Sequence, residues 1–134
     1  REDGFILRHH TPGDRTVQES PPLWRPEELK QDAIDAFEKL LKFCRENEIE
    51  LDVVMMPIPQ VTYEKYQPEY DAAIQYFTTF MEERKVPVFN YLDDMRPEIP
   101  RKLEMFGDYE GHMYKETAMD FSRFFAKELM EAHT

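Results

Sequence analysis

The chain has 134 residues, 41% of them hydrophobic and 13% aromatic, which suits one globular domain rather than a disordered chain. Its 28 acidic against 17 basic residues give a net charge of -11, which repels phosphate backbones and anionic lipid, so no nucleic-acid partner is expected. No run is long and apolar enough for membrane insertion in this segment, and the single cysteine, Cys44, rules out an internal disulfide.

Residues 1–25 read as an irregular N-terminal segment with one possible short strand, Phe5-Ile6-Leu7, and turns at Thr11-Pro12-Gly13-Asp14 and Ser20-Pro21-Pro22. His9 and His10 diverge in an extended chain, so both are expected to face solvent. An α/β domain is expected over residues 26–134. Trp24 stands as a hydrophobic anchor at a helix entrance, Pro26 suits the first helical position, and Glu27 and Glu28 suit the positive end of the helix dipole. Leu29, Ala33, Ala36, Phe37, Leu40, Leu41 and Cys44 recur at helical spacing. Cys44 therefore falls on a buried face as an inert thiol, and Asn47 is expected as a left-handed stop.

Leu51–Met56 is short, apolar and partly β-branched, as a buried parallel strand is, and Pro57-Ile58-Pro59 ends it. A second helix is predicted from about Pro68 to Lys85, with Tyr70, Ala73, Ile74, Phe77 and Met81 on one face. Val86–Tyr91 reads as another strand. The last helix covers roughly Lys115–Ala132, with Ala118, Phe121, Phe125, Leu129 and Ala132 inward. Strand, helix, strand implies a βαβ crossover and a layered α/β sheet. Two or three strands leave sheet edges unpaired. The chain is therefore expected either to form a homo-oligomer through an edge or to be the C-terminal part of a larger domain. Its start at Arg1 rather than at a methionine favours the second.

Ligands of open α/β sheets bind beyond the carboxyl ends of the strands. The loops Pro57–Gln67 and Leu92–His112 leave those ends, which draws attention to Phe106-Gly107-Asp108-Tyr109-Glu110-Gly111-His112-Met113. An imidazole oriented by a carboxylate is the base of a serine or cysteine hydrolase. Here His112 would be the base, with Asp108 or Glu110 as its orienter. Two other readings of the same residues stay open. They form an ordinary helix entrance, or Asp108, Glu110 and His112 chelate a divalent metal, although three ligands in five residues of one loop seldom close a shell. The nucleophile is the gap: Ser20 and Ser122 are the only serines, and neither sits in a glycine-flanked turn that would expose and activate it.

The run Glu46-Asn47-Glu48-Ile49-Glu50-Leu51-Asp52-Val53-Val54-Met55-Met56-Pro57-Ile58-Pro59 resembles the late helix-to-strand passage of SGNH (GDSL-type) hydrolases, especially their cell-envelope acyltransferase-like branch. Val86–Tyr91 is similar as well. Asp108–His112, followed by Ala118 and Phe121, resembles the last block of that family, where aspartate and histidine complete a triad. The resemblance covers residues 26–134. It implies a flavodoxin-like three-layer α/β/α fold, transfer or hydrolysis of a small-molecule or carbohydrate acyl ester, no cofactor, no metal, and a cell-envelope or extracytoplasmic setting. His112 and Asp108 would be catalytic.

The departures are specific. The family usually places aspartate three residues before histidine, where this chain has Tyr109. Asp108 regains the role only if Gly111 is an inserted residue. Tyr114 stands where asparagine is common, and Thr117 replaces a frequent glycine. The Gly-Asp-Ser nucleophile turn and the oxyanion-hole residues are not in this chain, so alone it is expected to be inactive. A non-catalytic binding or assembly module on the same fold is the alternative.

Overall fold

A computed structural model describes residues 26–134; the possible strand expected at Phe5–Leu7, and His9, His10, Ser20 and Trp24, lie outside them. The element order is a 3-10 turn at Pro26–Glu28, α1 (Gln31–Glu46), β1 (Val53–Met55), α2 (Gln60–Lys65), α3 (Gln67–Glu83), β2 (Val88–Asn90), a 3-10 turn at Leu103–Met105 and α4 (Lys115–Ala132). The fold is mixed α/β, mostly helical, with a small parallel sheet. The chain forms two compact units, one from residues 26–55 and Tyr66–Asn90, the other from Met56–Lys65 and Tyr91–Thr134.

The first unit is a βαβ arrangement. β1 pairs in parallel with β2 in the register Val53–Val88, Val54–Phe89 and Met55–Asn90, and α3 lies between them in the chain. Its core is Leu41, Met81 and Val86, with Phe37, Leu51, Val53, Phe80 and Val88 packed around it. Cys44 is buried. Both helices turn into their strands in the same way. The amide of Ile49 reaches back to the Cys44 carbonyl at 2.8 Å, and that of Val86 to Met81 at 3.0 Å. Each turn needs one left-handed residue, and these are Glu48 and Lys85, both at φ 55°. The stop of α1 is thus Glu48. Asn47 keeps a negative φ of -111° and contributes its side chain to the Phe43 carbonyl instead.

Pro26 opens a 3-10 turn rather than the long helix, and α1 begins only at Gln31. The apolar stripe of α1 is less covered than its spacing implies: Ala33, Ala36 and Leu40 stay exposed. Both strands are trimmed to three residues by flanking segments that leave the ladder. α2 is an additional helix within the loop that follows β1.

In the second unit α4 spans the expected residues. Its Phe121 is buried, and Tyr91 meets it edge-on at a centroid distance of 5.2 Å, with Phe124 and Phe125 at 6.1 Å. Such aromatic pairs add roughly 1 kcal/mol each beyond area burial. The Tyr91 hydroxyl donates to Glu128 at 2.7 Å, and Arg96 bridges Glu128 and Asp94. Arg96 thereby holds the Asp94 and Glu128 carboxyls below their ordinary values, while burial, then Glu128, pushes the Tyr91 phenol up. This network ties the segment after β2 to the last helix.

Candidate functional site

The candidate loop lies within the second unit and is closed by its own backbone. Phe106 and Met113 form an isolated antiparallel bridge, the Gly107 amide donates to the His112 carbonyl at 2.8 Å, and the Tyr114 amide to Met105 at 3.2 Å. Phe106 is completely buried and roots the loop. Between these ends the chain must reverse, and Gly111 permits it with φ 108°, a conformation costly for any residue bearing a Cβ.

Asp108 organises the turn. Its Oδ1 accepts from the backbone amides of Glu110, Gly111 and His112 at 3.0, 3.1 and 3.2 Å. Its Oδ2 lies 2.7 Å from His112 Nδ1. The Asp108 side chain is 8% exposed and that of His112 56%. Burial pushes the Asp108 carboxyl up, but the backbone and ring hydrogen bonds of His112, its charge and the Glu110 amide outweigh burial and hold it below the ordinary aspartate value. With Nδ1 turned to the carboxylate, Nε2 is the nitrogen left to exchange a proton with a reactant.

Of the two candidate orienters, Asp108 is the one in hydrogen-bond reach; Glu110 Oε2 is 3.7 Å from Nδ1. Gly111, at φ 108°, lies in the turn that brings the His112 ring back onto Asp108. Asp108, Glu110 and His112 can bring one ligand atom each within 4.8 Å of one another. The Asp108 carboxylate, however, is largely spent on three amides and a ring nitrogen, which leaves it little to give a cation.

The loop rests on the segment that follows β1 in the chain. Pro57 and Pro59 are fully buried, and a Cβ on Gly111 would stand 2.9 Å from Ile58 Cγ2 and 3.3 Å from the Pro57 carbonyl. Thr62, on α2, donates its hydroxyl to the Tyr109 carbonyl at 2.6 Å. The same segment meets Arg101, whose carbonyl accepts from the Gln60 amide at 2.8 Å. Arg101 donates to the carbonyls of Tyr91 and Leu92 and lies over the Tyr63 ring, while its Nε and Nη2 are buried with no partner. Burial pushes its guanidinium down, though it remains charged. Neither Thr62 nor Arg101 carries a sequence signal for this placement, since both depend on contacts between distant residues.

No nucleophile stands ready among the described residues. Ser122 is exposed on α4, and Cys44 is buried in the other unit. No described helix is long and apolar enough to cross a membrane. Comparison with family models, with curated proteins and with solved structures returns no match.

Proposed function

We propose that this chain is the base-bearing C-terminal part of an SGNH-like esterase or acyltransferase, with His112 as general base and Asp108 as its orienter. The observation that carries the reading is the 2.7 Å contact between Asp108 Oδ2 and His112 Nδ1, made by a carboxylate that its own loop fixes and buries. In this reading a serine outside the chain attacks the carbonyl carbon of an acyl ester while His112 Nε2 takes the hydroxyl proton. The proton then passes to the departing alkoxide, leaving an acyl-enzyme for water or a second alcohol to open. Asp108 holds the imidazole in the Nδ1–H tautomer and offsets the positive charge the ring acquires. The substrate is a small-molecule or carbohydrate acyl ester, and the reaction as read uses only the serine, His112 and Asp108. The two-stranded parallel sheet of the first unit is consistent with a flavodoxin-like three-layer fold whose remaining strands come from elsewhere in the protein or from a second copy.

A second reading has its own observation. Asp108 already receives three backbone amides, as a loop-capping aspartate would in a protein with no chemistry to perform. The chain would then belong to a non-catalytic binding or assembly module. Treatment of the full-length protein with a fluorophosphonate separates the two. The esterase reading expects one labelled serine in the wild type and labelling slowed about 100-fold or more in His112→Ala. Absence of any labelled serine favours the module and removes the esterase.

A further inference from the structure

We propose that Thr62 is a positioning residue for the Asp108–His112 pair, acting through the peptide between Tyr109 and Glu110; the inference rests on the reading of His112 as a base. The carbonyl of Tyr109 and the amide of Glu110 belong to one planar peptide unit. Its oxygen accepts from the Thr62 hydroxyl at 2.6 Å, and its N–H donates to Asp108 Oδ1 at 3.0 Å. That peptide is clamped on both sides, so its plane cannot rotate without breaking a bond to a buried group. Asp108 in turn presents Oδ2 to His112. A continuous line of hydrogen bonds thus runs from Thr62 to the imidazole, and each member polarises the next.

Thr62 is a suitable fixed end for this line. It is 2% exposed, and its amide is bonded to the carbonyl of the fully buried Pro59 at 3.0 Å. The loop touches the same segment a second time where Gly111 faces Ile58. Two anchors on one segment fix both the height and the tilt of the turn that carries His112. Without the first, the Tyr109–Glu110 peptide is free to turn, one of the three amides leaves Oδ1, and the carboxylate loses its aim at Nδ1.

The test reads the imidazole directly. In the 15N-labelled chain, with the ring neutral, long-range proton–nitrogen spectra report the His112 tautomer. The wild type and Thr62→Ser, which keeps the hydroxyl, are expected to hold the Nδ1–H form. Thr62→Val, nearly the same shape without the hydroxyl, is expected to shift the ratio of tautomers about 10-fold toward Nε2–H, the scale of one lost hydrogen bond. In the full-length enzyme the same variant is expected to lower kcat about 10- to 100-fold with KM unchanged. An unaltered tautomer ratio in a folded Thr62→Val chain overturns the inference. Should that variant not fold, the wild type decides: a slowly exchanging Thr62 hydroxyl proton close to Tyr109 supports the clamp, and a rapidly exchanging one removes it. Failure of the full-length protein to turn over esters overturns the base reading alone and leaves the tautomer result standing.

Discussion

Asp108 serves His112 twice: Oδ1 accepts from its backbone amide and Oδ2 lies 2.7 Å from its ring Nδ1. One carboxylate therefore sets both the position of the histidine backbone and the orientation of its imidazole. His112 lies four residues after Asp108, and Gly111, at φ 108°, lets the intervening chain turn back so that both contacts form.

Removing the Asp108 carboxylate is expected to damage stability and chemistry together. Asp108→Ala leaves three partly buried amides without their acceptor and is expected to cost roughly 1–3 kcal/mol, read from denaturant melts. Asp108→Asn can offer an amide N–H to Nδ1 and so favours the wrong tautomer, with an expected loss of ~10³- to 10⁴-fold in kcat of the full-length enzyme. The pH dependence follows from the lowered carboxyl. A depressed folded value means the contribution is fully present above the ordinary aspartate value of about 3.9 and is lost as pH falls through the lower folded value. Acid unfolding of Asp108→Asn should lack that component, so its stability difference from the wild type shrinks toward low pH.

Gly111→Ala is expected to destabilise by roughly 1–3 kcal/mol, because it adds backbone strain at φ 108° and a Cβ at 2.9 Å from Ile58 Cγ2. Combining it with Ile58→Ala separates the two terms by a double-mutant cycle. Relief of the steric part appears as a combined cost smaller than the sum of the single costs. Strict additivity would place the whole penalty in the backbone.

Much of this architecture is legible in the residues. α4 follows from its apolar spacing, and the burial of Cys44 from its place on the α1 stripe. The two strands read correctly as parallel partners because short apolar runs flanking a helix leave few other topologies. The boundaries are less legible. Whether Pro26 starts a long helix or a single 3-10 turn depends on tertiary packing, and α2 hides in a loop between two prolines and Gln67. Within the site, local composition pointed to His112 with two carboxylates. The resemblance favours Asp108 over Glu110, whereas local composition leaves both open; the distances to Nδ1, 2.7 Å against 3.7 Å, depend on the turn at Gly111. Thr62 and Arg101 reach the loop and its neighbours across long sequence separations, which no local pattern encodes.

The two helix-to-strand turns offer a stability test remote from the site. Glu48 and Lys85 hold left-handed conformations at exposed positions, which costs a residue with a Cβ roughly 1 kcal/mol. Lys85→Gly and Glu48→Gly are each expected to raise the unfolding free energy by about 0.5–1 kcal/mol, since glycine meets no such penalty. Loss of stability in both variants would mean the turns are not built as described.

The central claim, that His112 is the base of an acyl-transfer reaction, is tested most directly by ester turnover. The full-length protein and its His112→Ala variant are compared on an activated acetyl ester, with folding checked by circular dichroism. The account predicts turnover in the wild type and a fall in kcat of about 10³- to 10⁴-fold in the variant. Equal rates in the two folded proteins would contradict it.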